Sequence, residues 1–117
     1  MRMKIKNRVE RSAKLLDRLY PTWFRRVDLA KLDMSDGHSC VAGQLAHSYR
    51  VGTSDDRGYD VFVDRLVSRV SRDEQAELDI LQRGYPASEL AFGSKGLNDW
   101  KREIRNRQQL DRAQSAA

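Results

Sequence analysis

The residues able to act as soft ligands or nucleophiles crowd into one short stretch. Between Ser35 and Gly52 the chain reads SDGHSCVAGQLAHSYRVG and holds its one cysteine, Cys40, and both of its histidines, His38 and His47. Structural zinc takes four ligands in a closed tetrahedron, usually paired cysteines or histidines at fixed spacing. Here His38, Cys40 and His47 make three, with Asp36 as the one nearby carboxylate, and there is no C-x-x-C or H-x-x-x-H pair. His47 also falls two helical turns from Cys40, too far for both to grip one ion. The expectation is no metal and no cofactor. A thiol in the first turn of a helix feels the positive end of the dipole, which favours thiolate, and either histidine is a formal candidate for its base. No orienting partner or oxyanion hole accompanies them. Cys40 precedes Val41 on the apolar side of a predicted helix, so a buried structural cysteine is expected, and no catalytic residue.

Charge offers the next candidates. The net +5 hides a division along the chain. Residues 1–31 carry ten Lys/Arg against three Asp/Glu, residues 32–94 six against eleven, and residues 95–117 six against three, or +7, −5 and +3. Two basic ends around an acidic middle can meet a polyanion or pair with that middle in the fold. On the first predicted helix Lys4, Arg8, Arg11, Lys14 and Arg18 share the face opposite the apolar one, a candidate binding face for an acidic partner protein.

A second candidate is a helix-turn-helix. QLAHSYRVGTS is similar to the first helix and turn of that motif, with Leu45, Ala46, Tyr49 and Val51 in its apolar places. Candidate DNA contacts on this alternative are Gln44, His47, Arg50, Thr53 and Ser54. Arg50 stands where the motif usually has glycine. Asp55 and Asp56 would bring carboxylates to phosphates.

These side chains are positioned by helices. Ile5, Val9, Ala13, Leu16, Leu19 and Tyr20 follow the 3.6-residue period, and Pro21 should end that first helix. Trp23 and Phe24 should fold back over the core, with Val27, Leu29 and Leu32 in one short helical turn. A second helix should open with Ser39 as its cap and bury Val41, Leu45 and Tyr49. Gly43 inside it costs about 1 kcal/mol relative to alanine, tolerated best at a close approach. Asp60 to Val70 predicts a third helix burying Phe62 and Leu66. Ser71-Arg-Asp-Glu74 matches a capping box opening a fourth, which carries Leu78 and Leu81 and stops at Gly84 and Pro86. Ala87 to Phe92 suggests one more turn. The last helix runs from Leu97 or Asn98 past Leu110 with Trp100 and Ile104 inward. The fold class is therefore mainly α, one small domain of four or five helices over residues 1–107 with no sizeable sheet, then a frayed tail over 108–117. No apolar run is long enough to span a bilayer, and no apolar stretch follows the charged N-terminus as in a signal peptide.

The chain also resembles a group of small proteins from actinobacteria and their bacteriophages. The likeness rests on RVER and LLD in a leading helix, Pro21-x-Trp23, Val27-Asp-Leu29, a Cys40-Val-x-Gly-Gln44 helix ending in an aromatic, and a C-terminal Leu97, Trp100 and Ile104 helix rich in arginine. It spans about residues 8–105 and leaves Thr53–Pro86 poorly matched. The Leu97–Trp100 spacing is one residue shorter than the group's form. Sixteen arginines against six lysines suit a GC-rich genome. The resemblance implies a phage or prophage accessory protein in an actinobacterial cytosol, and carries over no catalytic or ligand-binding residue. The expected function is non-enzymatic binding to a host or phage protein with an acidic surface. Nucleic acid is the alternative partner, and no membrane is expected.

Overall fold

The computed structural model describes residues 5–34, 39–50, 58–77 and 96–115. Among the described residues five α-helices and one 3-10 turn follow one another: α1 (Ile5–Leu19), the 3-10 turn (Trp23–Arg26), α2 (Val41–Ser48), α3 (Gly58–Ser68), α4 (Arg72–Glu77) and α5 (Leu97–Ser115). Among the described residues there is no strand, and no helix is long and apolar enough to cross a membrane.

The helices pack as two pairs, α1 with α5 and α2 with α3, and the 3-10 turn touches both α2 and α5. Pro21 stops α1 one residue before Tyr20, and the chain turns back through Thr22 in the left-handed region at φ 62°. That reversal drives Trp23 into the centre. Its ring meets Trp100 of α5 edge-on, with centroids 6.0 Å apart. Val9, Leu16, Trp23, Val41, Leu45, Phe62, Leu66, Trp100 and Ile104 are all fully buried. Each such side chain contributes about 1.5–3 kcal/mol relative to exposure. Tyr49, expected among them, is only half-buried and packs at the core's edge.

Polar seams close the junction. Asp17 on α1 accepts the Trp23 indole N–H at 2.8 Å and both Nε and NH2 of Arg107, on α5, at 3.0 and 2.9 Å. Burial works against the Arg107 charge, but its bonds to Asp17 and Glu103 more than offset this and raise its pKa above the ordinary guanidinium value.

Several local expectations are corrected. The cap of α2 is Cys40, not Ser39: its backbone is extended and its Sγ accepts the Gly43 N–H at 3.3 Å. Residues 28–32 form successive tight turns, Lys31 N–H to Asp28 C=O and Leu32 N–H to Leu29 C=O, and the helical turn sits earlier, at Trp23–Arg26. α3 starts and stops two residues before the predicted span. Ser71 accepts the Glu74 N–H at 3.2 Å, but Glu74 reaches Arg18 of α1, so half of the capping box forms. The expected boundary at Gln108 fails. α5 continues to Ser115, Gln108 donates to the carbonyls of Phe24 and Val27, and Asp111 pairs with Arg25. A polar side chain anchors this stretch, which an apolar stripe cannot reveal. The expectations for Leu78, Leu81, Gly84, Pro86 and Ala87–Phe92 lie outside the described residues.

Candidate functional site

Cys40 and His47 do not meet. The cysteine is buried at 1% exposure, its sulfur turned to the backbone of its own helix, while His47 stands on the exposed side of α2. Asp36 and His38 lie outside the described residues. Among the described residues no group of three or more His, Cys, Asp or Glu side chains is placed to hold a metal ion.

The basic face of α1 is smaller than its sequence implies. Arg8 is buried at 3% exposure, a correction to its place on the candidate face. At about 100° per residue, Arg8 lies about 20° from Leu15 and about 40° from Ser12 on the wheel, and both are buried. The buried arc is thus wider than the Val9–Ala13–Leu16 stripe and sweeps Arg8 in. Arg11, Lys14 and Arg18 remain exposed, with Arg18 held by Glu74 at 2.6 Å. Lys4 lies outside the described residues.

Of the candidate DNA contacts, Gln44 is committed to the fold. Its Oε1 accepts the Asp28 N–H at 2.7 Å, and its Nε2 donates to the carbonyls of Asp28 and Ser39. A side chain that closes a loop onto a helix in this way is not presented to bases, which corrects its role as a reader. His47 and Arg50 are exposed. Arg50 takes the left-handed conformation at φ 56°, the geometry glycine supplies without cost. Thr53 and Ser54 lie outside the described residues.

What the fold does assemble is an arginine–tyrosine face at the end of α2. The Arg26 guanidinium lies 4.3 Å from the centre of the Tyr49 ring and donates to Ser48 Oγ at 3.0 Å. The Tyr49 and Tyr20 rings are 4.9 Å apart, and Arg69 lies 5.3 Å over the far ring, Tyr20. Burial raises the Tyr49 phenol above its ordinary pKa, partly countered by Arg26, so it is neutral at physiological pH. Beside this stack opens a groove of about 450 Å³ between the Asp28–Lys31 turn and α2. Arg26, Lys31 and His47 bring donors to its wall, Asp28 brings a carboxylate, and Gly43 and Gln44 lie on the α2 side. The size falls within the range of ordinary ligand pockets.

Sequence reasoning gave no part in a site to Arg26, Lys31, Tyr20 or Arg69. Each is a member of a separate segment, and Tyr20 and Tyr49 both read as core positions on their own helices. The one local signal is the Arg25–Arg26 pair directly after Trp23, where a chain reversal turns one arginine to α5 and the other to α2. No protein-family model, curated protein or solved structure matches the chain.

Proposed function

We propose that this chain is a non-enzymatic accessory protein of bacteriophage or prophage origin that works in an actinobacterial cytosol by binding another protein. The observation that carries the reading is Arg26, held on the Tyr49 ring and lining an open groove. Tyrosine and arginine dominate the energetics of protein interfaces. A guanidinium already stacked and hydrogen-bonded loses little further freedom on binding. Burial of the thiol and its distance from His47 support a non-catalytic role, and the resemblance of the N-terminal motifs supports the origin.

The test compares wild-type, Arg26→Glu and Tyr49→Ala proteins as baits in phage-infected host lysate, with circular dichroism as a check on folding. A partner held by the wild type and lost by both folded variants is the expected result. A partner profile identical across all three overturns the reading.

DNA binding is the second reading, favoured by Arg50 in a left-handed turn after α2, as a helix-turn-helix requires of its glycine. It loses Gln44 as a reader. Binding to random-sequence duplex that weakens steeply with salt would decide for DNA, because released counterions drive such binding.

A further inference from the structure

We infer that the groove between the Asp28–Lys31 turn and α2 is a receptor for a carboxylate side chain on an acidic segment of the partner protein. The inference rests on the protein-binding reading and names what the groove recognises. Its backbone is pre-formed: Gln44 ties the loop to the helix by hydrogen bonds at 2.7, 2.9 and 3.2 Å, so binding there need not order the loop. Arg26 is fixed by Tyr49 and Ser48 with further N–H groups on its fork, and a guanidinium matches a carboxylate bidentately. Lys31 adds a second basic side chain to the lining.

Two further residues define the occupant. Gly43, in the first turn of α2, lines the groove, so the absent Cβ leaves room on that side. Asp28 keeps one carboxylate oxygen on the Ala30 N–H at 2.9 Å and brings negative charge to the wall. That charge opposes a dianion such as phosphate. It suits a monoanionic side chain whose own backbone N–H accompanies it, because the second Asp28 oxygen can accept that donor. A glutamate or aspartate on an exposed peptide segment satisfies both halves.

The test is a titration of isotope-labelled protein followed by NMR, with acetyl-Glu-Asp-Glu-amide as the probe, acetyl-Gln-Asn-Gln-amide as its neutral counterpart, and inorganic phosphate as a third arm. Saturable shifts at Gly43, Gln44 and His47 with the acidic peptide alone are expected. Arg26→Gln should weaken binding at least tenfold. Gly43→Ala should do the same by occupying space, with helix content retained and the charges untouched; if it unfolds the domain, Lys31→Gln on the exposed turn takes its place. Shifts that survive Arg26→Gln, no saturable shift in the groove, or saturation by phosphate but not by peptide each overturn the inference. The wider reading fails separately. A lysate partner released by Tyr49→Ala but retained by Arg26→Gln and Gly43→Ala would leave protein binding standing and remove the groove as its receptor.

Discussion

Arg8 separates a cation that serves the fold from one that faces solvent. It is buried on the α1 side of the domain, so Arg8→Glu places a reversed charge in a desolvated site and should cost about 3 kcal/mol or more. Lys14→Glu, six residues on and exposed, should stay within about 0.5 kcal/mol of wild type. Urea denaturation of both variants checks the contrast, and equal losses would place Arg8 on the surface after all. Arg50 presents the opposite case, a side chain the backbone would prefer to lose. Arg50→Gly relieves a left-handed residue and should raise stability by up to about 1 kcal/mol in thermal melts. Cys40 is capped into α2 through Gly43, so alkylation by a thiol reagent should be slow in the native protein and fast in denaturant. Rapid native alkylation would reopen the question of a reactive thiol.

Among the elements, α5 holds the molecule shut, and its last turns matter more than their composition suggests. Removing residues 108–117 deletes the Gln108 bonds to Phe24 and Val27 and strips Arg25 of Asp111. The Val27 carbonyl then loses the Gln108 donor, and the Phe24 carbonyl keeps the Val27 N–H at 3.4 Å. The truncated chain should lose about 1–3 kcal/mol, the cost of leaving buried polar groups without partners. An unchanged melting temperature would restore the reading of those residues as a loose tail.

For the molecule as a whole, the three charge zones sort themselves in space. The basic ends pack on each other through α1, the 3-10 turn and α5, and their own few carboxylates join them: Asp17 to Arg107 and Asp111 to Arg25. The Arg18–Glu74 pair reaches the acidic middle. Hydrogen bonding to Arg25 holds the Asp111 carboxyl below its ordinary pKa. The folded value therefore lies under the unfolded one, so the pair stabilises the fold above the ordinary carboxylate range and that contribution disappears as pH falls through the folded value. Asp111→Asn should flatten this part of the acid limb in denaturation curves collected from neutral pH down to strong acid. An acid limb identical to wild type would assign the loss to other carboxylates.

Periodicity in this sequence was enough to determine α1, α2, α3 and α5, because each repeats its apolar residues every three to four positions and only a helix puts those on one side. α4 was legible from the capping residue Ser71. Periodicity named eight of the nine fully buried core residues for the same reason, and the chain stop at Pro21 named the ninth, Trp23. The limits of each buried arc were not legible. Leu15 lies beside Arg8 on the wheel, and whether that edge faces water depends on what packs over it. The polar anchors were equally hidden: Gln108, Gln44 and Glu74 read as solvent-facing side chains until helices distant in the chain supply their partners. The groove and its arginine–tyrosine stack belong wholly to the tertiary level. Arg26, Tyr49, Tyr20 and Arg69 come from four separate places in the chain, and only the reversal at Pro21–Thr22 and the packing of α2 on α3 bring their side chains within reach of one another.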